Sequence, residues 1–315
     1  MIFKILFIEP RSPFHIGIKE GSLEKTMHHV PSDTLFSALC NVYRIVYGRE
    51  KLEKLLKEFL DGEPPFMVSS VFPCINGKPL FPLPRNIDKY RLEIEGDGKA
   101  LKGVEFVDEG IFRRLLKGEK VTVRKENLIQ KKVISLERKD ALWKEIERPR
   151  VSIDRLSSST EIYHFGEVIF TDKLHFLMDI SDDELEEEIL TTLRVLGDEG
   201  IGGDRTCGRG LFSISEIREI EFDEIDSEWF VTLSMVYPRK DEMIYLKESY
   251  FELLERGGWV YSPEERGLRK RFVRMIREGS VIRGKMKGRL VEVARGDYPI
   301  YRYGYAFLLP LRVGR

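Results

Sequence analysis

Cysteine, histidine and side-chain amides are scarce in this chain of 315 residues. Cys40, Cys74 and Cys207 stand too far apart for a CxxC knuckle and are odd in number for a disulfide framework, so they read as small buried or half-buried hydrophobes. Five histidines form no His-Asp or HxxxE-type array, which argues against metal-dependent hydrolysis. The amides are Asn41, Asn76, Asn86, Asn127 and Gln130, beside 52 Lys+Arg and 53 Asp+Glu, a balance found in thermophile proteins. No window approaches the roughly 18 apolar residues of a membrane span. The opening IFKILFIEP lacks the basic flank, apolar core and cleavage site of a secretory signal. A soluble cytoplasmic protein with no membrane partner is expected.

Net charge is also small, -1, but it is segregated. Residues 181 to 230 are heavily acidic, led by DDELEEE, whereas residues 266 to 289 carry ten Lys or Arg against one Glu. That separation predicts a basic face for a polyanion and an acidic face for another partner.

IFKILFIEP reads as a first strand. SDTLFSALCNVYRIVYG reads as a helix, capped by Ser32 or Asp33 and ended by Gly48. A second helix, REKLEKLLKEFLDG, precedes two extended segments around an Asn76-Gly77 turn. Residues 86 to 147 are less patterned and read as an insertion. Leu174, Phe176, Met178 and Ile180 alternate as a strand. Ser181 and Glu184 suggest a capping box for a helix with the stripe Leu185, Ile189, Leu193 and Leu196. LFSISEI closes the unit. The order predicts an α+β chain with two ferredoxin-like (RRM-like) domains side by side: residues 1–222 with the insertion at about 86–147, and residues 223–315. In the second, WFVTLSMVYP reads as a strand and DEMIYLKESYFELLERGG as a helix.

Between the acidic helix and its closing strand lies GDEGIGGDRTCGRGLF, residues 197–212, whose glycine-rich loop covers 197–210. It fits neither GxxxxGK[ST] nor GxGxxG, and it follows a helix rather than preceding one, so no nucleotide cofactor is expected. Bare backbone at such a loop is expected to approach a phosphodiester chain, with Arg205 and Arg209 pairing phosphates.

SPFHIG, SDTLFSAL, RVSIDRLSSSTEIYHFGEVIF, GIGGDRTCGRGLF, GSVI and YPIYRYGYAFLLP together resemble the RAMP superfamily of CRISPR-associated proteins. More narrowly, they are similar to the fourth Csm subunit of type III-A effector complexes. The resemblance implies a non-catalytic subunit in antiviral defence that holds the 5′ repeat-derived handle of the CRISPR RNA. It would bridge the large polymerase-nuclease subunit to a backbone RAMP subunit. Carried over by motif, the RNA-contacting residues are Ser12, His15, Arg150, Asp154, Arg155, Gly202, Gly203, Arg205, Gly208 and Arg209. Arg283, Lys285 and Lys287 are added on charge alone. Asp154 is expected to orient an arginine, and Tyr163, His164 and Phe165 to lie in the core. The rival is a metal-independent endoribonuclease of the same superfamily with His15 as general base, since His15, His28 and His29 could face the glycine loop.

Overall fold

The computed structural model describes residues 1–18, 23–85, 91–96, 99–154, 156, 159–261 and 267–313. Strand β1 (Ile2–Pro10) buries the consecutive run Ile5 to Ile8, which explains its imperfect alternation: both of its faces are covered. Helix α1 (Ser32–Tyr47) ends at Gly48 in a positive-φ conformation, as expected. Its start differs from expectation. Pro31 is the N-cap, Ser32 Oγ accepts from the Met235 N–H at 3.0 Å, and Asp33 is drawn into buried ion pairs. Helix α2 (Arg49–Asp61) follows, then β2 (Phe66–Val68), β3 (Phe72–Ile75) and β4 (Lys78–Pro82), the last two joined through Asn76 and Gly77 as predicted.

The stretch read as an insertion is built into the fold. It holds β5 (Leu92–Ile94), β6 (Phe106–Asp108), α3 (Glu109–Leu116), β7 (Val121–Val123), β8 (Leu128–Ile129) and β9 (Val133–Ile134). Strands β6, β9 and β8 extend the main sheet, and β10 (Trp143–Ile153) crosses the expected boundary at 147. Strand β11 (Thr160–Phe170) pairs with β10 throughout, and β12 (Leu174–Ile180) re-enters the sheet. Helix α4 (Asp183–Glu199) buries Ile189, Leu193 and Leu196, as its stripe predicts. Its cap is Asp182, accepting from the Leu185 N–H, and not the expected Ser181–Glu184 box. Strand β13 (Phe212–Glu221) is an edge, and the sheet runs β13-β1-β12-β3-β4-β6-β9-β8.

Beyond it lie β14 (Trp229–Thr232), β15 (Leu253–Arg256), β16 (Val273–Ile276), β17 (Val281–Arg283), β18 (Val291–Arg295), β19 (Pro299–Arg302) and β20 (Leu308–Pro310). The helix expected over DEMIYLKESYFELLERGG does not form; a 3-10 turn, Asp241–Glu248, is followed by β15. Two causes are visible. The buried Glu242 carboxylate accepts from the backbone N–H groups of Arg239, Lys287 and Gly288, pinning a turn. Residues 253 to 256 then alternate outward and inward, with Arg256 buried.

One core cluster runs across residue 222. Tyr303 packs on Phe36 with ring centroids 4.8 Å apart, and Phe307 on Phe3 at 4.9 Å. No described helix is long and apolar enough to cross a membrane.

Candidate functional site

The glycine loop lies against the segment after β1. The Gly203 N–H donates to His15 O, Gly210 N–H to Pro13 O and Gly208 N–H to Arg205 O, each at 2.8 Å. A Cβ on Gly202 would lie 2.5 Å from His15 O, and one on Gly203 would lie 2.7 Å from the His15 ring. The N–H groups of Gly203 and Gly210 are therefore taken up by the segment after β1. These two bonds hold the loop to that segment, and glycine is required where two backbones touch. Gly208, with positive φ and open space around it, is the exception. Ser12 belongs to the same docking, its Oγ accepting from the Leu211 N–H at 2.9 Å. His15 is buried: its Nδ1–H donates to Gly166 O at 2.7 Å, and its ring lies 4.3 Å from Phe165. His28 stacks on Trp143, and His29 lies beside the buried Glu278, so of the three loop histidines His15 alone meets the glycine loop.

Beside the loop, the β10–β11 ribbon supplies an ion-pair array that the sequence did not announce. Fully buried Glu167 gathers Arg148 at 2.9 Å, Arg209 at 2.7 Å and Arg150 at 3.6 Å. Arg150 also bonds Asp204 at 2.5 Å and lies 4.2 Å from the Phe165 ring centroid. The hydrogen bond to Arg150 lowers the Asp204 pKa, and the same bond raises that of Arg150. Arg150 and Arg209 are therefore tied to carboxylates that lie far from them in the sequence. Glu147 pairs His164, which stays exposed, while Phe165 is buried as expected. Asp154 Oδ1 accepts from the Leu156 N–H at the ribbon's tip. Arg155 lies outside the described residues. Val151, Ile153 and Ile162 remain exposed near the same tip.

A cleft of about 220 Å³ opens where the loop meets the C-terminal strands. Gly202, Gly203 and Arg205 form one wall, Arg256, Trp259 and Tyr261 another, and Asp33, Lys270 and Arg302 complete it. Asp33 is fully buried, held by Arg256 at 3.1 and 3.2 Å and by Arg302. Burial opposes its ionisation, but the two arginines win and hold its pKa at about 2. Burial lowers Lys270 to about 8, aided by Arg302 and Arg256 and resisted by Asp33. Arg205 lies 3.9 Å from the Tyr261 ring centroid. Among the described residues it has no carboxylate within ion-pair distance. Trp259 and Tyr261 keep 61% and 54% of their surface exposed.

Of the basic stretch Lys270 lines this cleft, while Arg283, Lys285 and Lys287 lie outside its lining. Arg283 pairs Glu228 at 3.1 Å and also Glu248, Lys287 pairs Glu63 at 3.5 Å, and Lys285 is exposed elsewhere. Threading through a sheet brings acids from other segments to Arg283 and Lys287, and Lys285 stays exposed. The acidic helix is similarly balanced in part, Glu186 by Lys4 and Glu188 by Lys51 and Tyr43. Sequence reasoning missed Glu167, Asp204, Arg256, Trp259, Tyr261, Lys270 and Arg302. The available signal for Glu167 was a charge inside the apolar run FGEVIF.

The fold and the docked glycine loop define a class. Residues 7–213 match the RAMP superfamily, and the chain belongs to that family. Within it the chain is a Csm4-like protein, since residues 225–311 match the CRISPR Csm4 C-terminal domain. It is 29% identical over 293 residues to the CRISPR system Cms protein Csm4 of Thermococcus onnurineus, covering 88% of this chain and 90% of that protein. It is 26% identical over 379 residues to the protein of the same name from Methanocaldococcus jannaschii, covering 99% and 98%. Among solved structures, a chain from a Csm1-Csm4 cassette in complex with cA4 superposes with TM-score 0.68 at 23% identity, both chains covered fully. A chain of a Csm3-Csm4 subcomplex from a type III-A interference complex gives 0.69 at 20% identity, covering 99% of this chain and 100% of that one. These likenesses establish the shared fold.

Proposed function

We propose that this chain is the Csm4 subunit of a type III-A CRISPR effector and holds the 5′ repeat-derived handle of the CRISPR RNA without cutting it. The observation that carries the RNA reading is the cleft, where, among the described residues, Arg205, Arg256, Lys270 and Arg302 face the single carboxylate Asp33 beside two exposed aromatic rings. Single-stranded RNA is held by just such a combination of phosphate contacts and stacking surfaces. The order β13-β1-β12-β3, crossed by α1 and α4, supports a ferredoxin-like core in the first part of the chain. We infer the large polymerase-nuclease subunit and a backbone RAMP subunit as its protein partners, because related folds occur in Csm1-Csm4 and Csm3-Csm4 assemblies. The burial of His15 and its bond to Gly166 support a structural role for that ring over general-base work.

End-labelled CRISPR RNA, with and without its 5′ handle, crosslinked to the chain and its large-subunit partner in EDTA, tests this reading. Uncut RNA captured only with the handle is expected. A discrete cleavage product lost in His15→Ala would replace the reading with a ribonuclease.

A further inference from the structure

Among the described residues, charge does not balance at the floor of the cleft. Arg256 directs its guanidinium to Asp33, Thr34 and the Gly17 carbonyl, so it is largely satisfied. Arg302 reaches Asp33 and the Gly257 carbonyl, but its Nε–H is buried with no acceptor. Lys270 is half-buried, its backbone N–H donates to Gly258 O, and its ammonium makes no hydrogen bond or ion pair with the described residues. Buried donors and cations lacking a counter-charge are costly, and a bound anion removes that cost. The neighbouring Trp259 and Tyr261 rings favour a nucleotide over a protein carboxylate, because a carboxylate would leave them unused.

We propose that Lys270 and Arg302 form the seat of one RNA phosphodiester, with the adjoining base stacked on Trp259. This rests on the RNA reading above and narrows it to one phosphate. A pH dependence follows. Lys270 shares its two flanking grooves with Asp33 and Arg44 of α1, Arg256 of β15, Arg205 and Tyr261 at the rim, and Tyr298, Tyr301 and Arg302 around β19. In the free chain Lys270 loses its proton at about 8, and a seated phosphate favours the charged form. Affinity is therefore full below that value and falls as pH rises through it.

The test uses the full chain and a 3′-fluorescein-labelled single-stranded CRISPR RNA handle, with anisotropy read over a salt series between about pH 7 and about pH 9. Lys270→Met should weaken binding about tenfold, flatten the pH dependence and make the logarithmic salt slope shallower by about 0.7. Lys270→Arg should restore affinity yet stay flat with pH, since guanidinium keeps its proton. Trp259→Ala, at an exposed position, should lower affinity without changing the slope. Unchanged affinity and slope in Lys270→Met, with binding lost in Arg205→Ala, would overturn the seat and leave the RNA reading standing. Failure of the wild-type chain to bind RNA, with AMP still quenching Trp259 fluorescence unless Lys270 is replaced, would keep a phosphate seat and overturn the RNA reading. Displacement of RNA by polyglutamate, dependent on Lys270 and indifferent to Trp259, would assign the seat to a protein carboxylate and overturn the proposal.

Discussion

Two clusters, one around Glu167 and Asp204 and one around Asp33, gather arginines among the described residues, and they leave different amounts of charge over. Glu167 and Asp204 hold Arg148, Arg150 and Arg209, whose sequence neighbours already suggested a basic motif. Asp33 holds Arg256 and Arg302, which lie 223 and 269 residues away in the chain, and the Lys270 ammonium is left beside them with no partner among the described residues. The contrast separates arginines that build a surface from cations available to a ligand. A motif rich in arginine can have its charge committed to structure, while the excess arises where distant segments meet.

The largest effect that would break this contrast is Asp33→Ala. It strands two buried guanidinium groups and should cost about 3–5 kcal/mol, read as a shifted denaturant midpoint. Because Asp33 is held from 3.8 down to about 2, its contribution is present above the unfolded value and is lost as pH falls through about 2. A pair of melts, wild type and Asp33→Ala, should converge over that acid range.

Next comes Glu167→Gln, which keeps the shape but removes the charge shared by three arginines. A loss of about 1.5–3 kcal/mol is expected, with faster amide exchange in residues 197 to 210. Unchanged exchange would show that backbone docking alone orders the loop.

Within the loop, Gly202→Ala meets His15 O and should cost about 2 kcal/mol, whereas Gly208→Ala meets nothing and should cost about 1 kcal/mol for its positive φ alone. Equal melting temperatures for the two variants would contradict the docking account. The smallest stability effect belongs to Arg205→Ala, within about 0.5 kcal/mol, because its visible contact is the exposed Tyr261 ring. Its expected signature is a shallower salt dependence of RNA binding.

Local periodicity made much of the first part legible. The apolar stripe of α4, the end of α1 at Gly48 and the Asn76-Gly77 hairpin are short-range patterns, and all three are present. Ser32 and Asp33 were misread as caps because both rules of capping and demands of tertiary pairing select the same residue types. At Asp33 the tertiary demand prevailed. The segment from Asp241 to Arg256 looked helical because its apolar residues are dense; Glu242 and Arg256, buried by partners far away in sequence, impose a turn and a strand. The glycine loop was legible as special, but its reason, contact with Pro13 to Ile16, lies between segments nearly two hundred residues apart. The acidic partners of Arg283 and Lys287 were illegible for the same cause, since they come from other elements.

The most direct measurement is photocrosslinking of handle-bearing CRISPR RNA to the full chain, followed by mass-spectrometric mapping of the attached residues. The account predicts attachment at Trp259 and Tyr261 and in the peptide spanning Gly202 to Arg209. Attachment confined to peptides around Arg283 to Lys287, with the cleft unmodified, would contradict it.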